Sequence, residues 1–129
     1  AICISYTFIF FNNTFFHFKE VEIQDKNPPG LVIILIIAPL IETIIFQYIV
    51  YHILIYTKIK KDWIYAIIMS LIFSSVHFYS SFYMLMVFCG SMSLNFFYVR
   101  TFKNSVFIAV LLTAVLHSIY NLFGYLFVV

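Results

Sequence analysis

Five apolar stretches separated by short polar breaks run the length of the chain. Residues 1–16 are apolar as far as Asn12-Asn13, which predicts a short or partial span, because about 20 residues are needed to cross a bilayer. Residues 17–30 form the one long polar connection and end in Asn-Pro-Pro-Gly, which stops one helix and sets up the next. Further spans are predicted over Leu31–Tyr56, Trp63–Tyr79, Phe82–Val99 and Ser105–Val129. Two basic turns join them, Lys58-Ile-Lys-Lys-Asp62 and Arg100-Thr-Phe-Lys103-Asn104, and Trp63 and Tyr65 form an interfacial belt beside the first.

Composition agrees. Of 129 residues 64% are apolar and 9% charged, and mean hydropathy is +1.06, whereas a soluble domain carries about 25% charged residues. The expected class is all-α, a polytopic transmembrane bundle of four to five spans in the lipid bilayer. The net charge of +2 is local to the turns and gives no reason to expect nucleic acid. Cys3 and Cys89 lie in separate apolar segments without metal or CxxC spacing and read as packing residues. Cys89-Gly-Ser-Met-Ser-Leu-Asn95 reads as close helix packing through small side chains.

One acid breaks the pattern. Glu20, Glu22, Asp25 and Asp62 sit in polar connections, but Glu42 lies deep inside an apolar run, three residues after Pro39. A carboxylate at a membrane-helix centre costs roughly 2.5–3.5 kcal/mol on insertion scales. It persists only if paired, protonated or used. Pro39 removes a backbone hydrogen bond and predicts a kink or break there.

Depth arithmetic supplies partners. At about 1.5 Å per residue from the basic turns, Glu42 lies about 22 Å deep, His77 about 21 Å and His117 about 18 Å. Three residues on three helices thus reach one level, predicting a buried polar site at mid-membrane. Phe73 and His77, and His117 and Asn121, are four apart, so each pair shares a helical face. His17 and His52 have no such companions and read as structural.

The runs Glu42-Thr-Ile-Ile-Phe-Gln47, Phe73-Ser-Ser-Val-His77 and His117-Ser-Ile-Tyr-Asn121 resemble the CPBP (Abi) family of intramembrane proteases, the CaaX prenyl endopeptidases and bacteriocin-processing enzymes. The family's motifs are EExxxR, FxxxH and HxxxN, in that order on separate helices. The resemblance makes residues 31–129 the catalytic core and residues 1–30 a partial span plus connection. A family core usually has more spans, which predicts further helices before Ala1.

The resemblance implies Glu42 as the base that activates water, His77 as a holder of that water, and His117 with Asn121 as oxyanion donors. Amide hydrolysis needs such a base and such donors. Thr43 stands where the family has a second glutamate and Gln47 where it has arginine, so both charges of an i, i+4 couple are absent together. The expected substrate is a peptide or prenylated protein, the expected location a bacterial inner membrane, and no cofactor is expected. Alternatives are a peptide-binding relative without activity, in an immunity or scaffold role, and a zinc protease using Glu42, His77 and His117. Positive-inside counting sets Lys58, Lys60, Lys61, Arg100 and Lys103 against Lys19 and Lys26 and makes the basic turns cytoplasmic. A prenyl-protein protease needs a cytosol-facing site, so orientation stays open.

Overall fold

The computed structural model describes residues 14, 30–78 and 81–127, and all regular structure among them is helical. The expected N-terminal span over residues 1–16 and nearly all of the connection 17–30, including Cys3 and His17, lie outside the described residues. Helix α1 runs Ile33–Thr57, α2 Asp62–Ser75, α3 Ser81–Phe102 and α4 Val106–Phe127. Among the described residues α1, α3 and α4 are long and apolar enough to cross a membrane. The segment expected as a span over Trp63–Tyr79 is shorter: α2 has 14 residues, about 21 Å of helix against a hydrocarbon core of about 30 Å.

In the last turn of α2 the Ser74 and Ser75 hydroxyls donate to the carbonyls of Leu71 and Ile72 at 3.2 and 2.7 Å. The helix ends partway up the bundle, and His77 lies two residues beyond its last residue, Ser75.

Pro39 does not break α1, contrary to one of the two expected outcomes. The helix continues through it by widening. Ile33–Ile37 and Thr43–Ile49 adopt π-helical turns, with Ala38–Glu42 α-helical between them. The Ala38 N–H donates to the Ile33 carbonyl, five residues back. Such insertions are rare and concentrate at functional sites.

The buried core lies toward the basic turns, where Tyr51, Tyr65, Met69, Tyr98, Val99 and Ala109 pack together. Tyr51 meets Tyr65, Tyr98 and Phe102 edge-on at 5.2, 5.8 and 4.8 Å, contacts worth about 0.5–1.5 kcal/mol each beyond burial. His52 lies tilted against Tyr48 and edge-on to Phe102. Outer faces are apolar, as Ile36, Ile41, Ile53, Phe107 and Leu111 illustrate. Helix α3 approaches α4 closely at Gly90, where a Cβ would stand 2.8 Å from the Tyr120 hydroxyl.

The two basic turns are clamped together at one end. Lys103 Nζ donates to both Asp62 oxygens at 2.7 and 2.8 Å, and Arg100 Nη1 lies 3.5 Å from Oδ2. The Lys103 hydrogen bonds hold the Asp62 carboxyl below the ordinary carboxylate range, against the opposing effect of burial. A lowered native pKa gives stability that is present above the unfolded value, about 3.9, and lost as pH falls through the native one. Wild-type unfolding should thus show an acid limb below about pH 4 that Asp62→Asn lacks. The clamp is exposed, so the effect is small, at most about 1 kcal/mol, and shrinks with salt. Identical acid limbs in the two proteins would remove the clamp's role.

Candidate active site

Two of the three residues that counting sets at one level, Glu42 and His117, lie beside each other in the structure. Glu42 closes the α-helical insert of α1 and faces α4, where its Oε2 lies 3.4 Å from His117 Nε2. A carboxylate only accepts hydrogen bonds, so the neutral His117 ring that suits this contact carries its proton on Nε2. The two partners differ in exposure: the His117 side chain is 5% exposed and that of Glu42 28%. The carboxylate is therefore the accessible member of the pair, and the imidazole is buried with its Nδ1 unpartnered.

His77 reaches the same place from the end of α2. Sequence periodicity puts Phe73 and His77 on one face of a continuing helix. In the structure α2 ends at Ser75, and His77 folds back over its own helix end. Its Nδ1 lies 2.8 Å from the Phe73 carbonyl, and since a carbonyl only accepts, Nδ1 carries the proton. A neutral His77 then presents a lone pair at Nε2. The ring packs on Phe73, which also meets the ring of His117.

Phe73 organises the two imidazoles. Its buried ring lies 4.6 Å from that of His77 and 5.7 Å, edge-on, from that of His117. Phe46 of α1 closes its other side at 5.2 Å. One aromatic ring thus touches groups from α1, α2 and α4.

Asn121 lies one turn beyond His117 on α4 and is half-buried. Its Nδ2 donates to the Ile34 carbonyl of α1 at 3.1 Å. The amide expected to face the reaction is thus engaged, by one of its two N–H groups, with backbone of a neighbouring helix.

Thr43 and Gln47, the neutral pair standing where the family has its charged couple, are not hydrogen-bonded to each other. Both are fully buried. Gln47 Nε2 donates across the bundle to Asn95 Oδ1 of α3 at 2.9 Å, and Asn95 Nδ2 donates to Ser70 Oγ of α2 at 2.8 Å. This chain of amide and hydroxyl ties α1, α3 and α2 together just below the Glu42 level. Asn95 and Ser70 are the residues that a reading by small-side-chain packing passes over. The usable signal was depth. Gln47, Ser70 and Asn95 lie about 15, 11 and 8 Å from the basic turns when counted at 1.5 Å per residue.

Among the described residues no three His, Cys, Asp or Glu side chains are grouped so as to share a metal ion. Glu42 and His117 meet, while His77 is turned by its bond to the Phe73 carbonyl.

Comparison with curated proteins and with solved structures gives no match. A family model does match, that of the type II CAAX prenyl endopeptidase Rce1-like family, over residues 25–123. The matched range covers most of the chain and includes Glu42, Phe73, His77, His117 and Asn121. Three apolar helices of spanning length accompany it. The chain belongs to the Rce1-like family of type II CAAX prenyl endopeptidases, and is an integral membrane protein of a protease family.

Proposed function

We propose that this protein is an intramembrane endopeptidase acting on prenylated CaaX-type chains, with Glu42 as general base. The observation that carries the reading is the 3.4 Å contact between Glu42 and His117 beside His77, inside the range matched by a protease family. Water binds between the Glu42 carboxylate and the Nε2 lone pair of His77, and Glu42 takes its proton. The resulting hydroxide attacks the scissile carbonyl carbon, and the carbonyl electrons move onto oxygen. That oxyanion receives the Nε2–H of His117, which rests against Glu42 before substrate enters, together with an N–H of Asn121. Collapse breaks the C–N bond, and the proton held by Glu42 passes to the leaving amine. The reaction runs at mid-membrane, where the apolar outer faces of the helices suit a prenyl chain.

A non-catalytic peptide-binding role is the second reading, favoured by the neutral Gln47, which bonds to Asn95 instead of completing a charged couple with residue 43. Mass spectrometry of peptides incubated with the protein in lipid nanodiscs separates the two. A farnesylated CaaX peptide should be cut and a double-glycine leader peptide left intact. Metal chelation should leave the rate unchanged, because Glu42 moves the protons. Failure to cut either peptide favours the binding role, and loss of cleavage on chelation with recovery on added zinc favours a metal mechanism.

A further inference from the structure

The hydrogen bond from Asn121 to the Ile34 carbonyl exists because residue 39 is proline. In the π-helical turns before Pro39, each carbonyl takes the N–H five residues on, as the Ile33 carbonyl takes that of Ala38. The next donor in that register, for the Ile34 carbonyl, is residue 39, which has no N–H. The α-helical alternative, Ala38, is already bonded to Ile33. Pro39 thereby leaves the Ile34 carbonyl open within an apolar bundle, where an unsatisfied backbone group is costly. Asn121 Nδ2 fills it at 3.1 Å from across the α1–α4 contact.

We propose that Pro39 is a positioning residue for Asn121. A planar carboxamide has two N–H groups in fixed relation. Binding one to a backbone carbonyl fixes the direction of the other, and that second N–H is the donor available to an oxyanion. Pro39 acts through Asn121 without touching substrate. An ordinary residue at 39 returns the N–H to the Ile34 carbonyl, releases the amide and lets it rotate. The catalytic half of this inference rests on the proposed protease reading; the structural half does not.

A double-mutant cycle of Pro39→Ala and Asn121→Ala tests the structural half in bilayers without any substrate. Asn121→Ala should weaken folding between about threefold and tenfold in the wild-type background, the range for hydrogen bonds between membrane helices. In the Pro39→Ala background, where the substituted residue supplies the N–H, it should have almost no effect. Equal effects in both backgrounds overturn the proposal, whether or not any peptide is cut. Pro39→Gly restores the same N–H and serves as the second variant if Pro39→Ala folds poorly.

The catalytic half is read on the farnesylated peptide. Pro39→Ala should lower kcat about tenfold, below the 10²–10³-fold cost of removing an oxyanion donor outright, and leave KM unchanged. An unchanged kcat beside a positive cycle overturns the positioning role. If wild type itself cuts nothing, the protease reading fails while the cycle still decides the link between Pro39 and Asn121.

Discussion

Glu42→Gln should lower kcat for the farnesylated peptide by about 10²–10⁴-fold, the usual contribution of a positioned acid–base group. Glutamine keeps the shape of the side chain, and its Oε1 accepts from His117 Nε2 as the carboxylate does. The contact at 3.4 Å therefore survives, and with it the packing of α1 on α4. What disappears is the capacity to take a proton from water. Thermal unfolding in nanodiscs should accordingly change little, which separates loss of chemistry from loss of fold. Cleavage within about threefold of wild type, well under that acid–base range, would remove Glu42 from the role of base. Phe73→Ala should also depress the rate, but with falling stability, because that ring supports both histidines.

Asn95→Leu carries the largest expected cost in stability. The side chain is fully buried and gives and takes one hydrogen bond, from Gln47 and to Ser70. Leucine fills the volume but strands the Gln47 amide and the Ser70 hydroxyl. A stranded buried partner costs about 1–3 kcal/mol, though bonds between membrane helices average nearer 0.6 kcal/mol, so a loss of about 1–2 kcal/mol is expected. Converting all three positions to apolar residues, as Gln47→Leu, Ser70→Ala and Asn95→Leu together, should recover most of it, since the penalty comes from unpaired groups rather than from polarity lost. Steric-trap or detergent unfolding measures both proteins. A triple variant less stable than Asn95→Leu would show that the network contributes more than the avoidance of stranded groups.

How far the sequence reached depended on what kind of information a residue carried. Ionisable groups inside apolar runs were legible, because their cost in a bilayer demands partners and helix rise converts position into depth. Glu42, His77 and His117 were singled out this way; Glu42 and His117 lie 3.4 Å apart, and His77 shares the Phe73 ring with His117. The length of α2 was not legible, since the apolar run continues past Ser75 and nothing in the sequence marks the point where the helix ends. Pro39 announced a disturbance but not its form, because widening a helix and breaking it begin from the same missing N–H. The Gln47–Asn95–Ser70 chain was hidden by composition: Asn95 follows a run of Gly and Ser that reads as packing surface. The spans before residue 30 fall outside the described residues and remain expectations.

The acceptor for Asn121 is a backbone atom, and this has an evolutionary consequence. Any side chain at position 34 offers the same carbonyl, so residue 34 is free to drift among lipid-compatible types without disturbing the bond. Coupled substitution between positions 34 and 121 should therefore be missing from related sequences although these residues touch. The correlated pair should be 39 and 121, which do not bond to each other. At this one pair, a contact inferred from covarying positions would be offset along α1 by the five residues that separate a π-helical carbonyl from its donor.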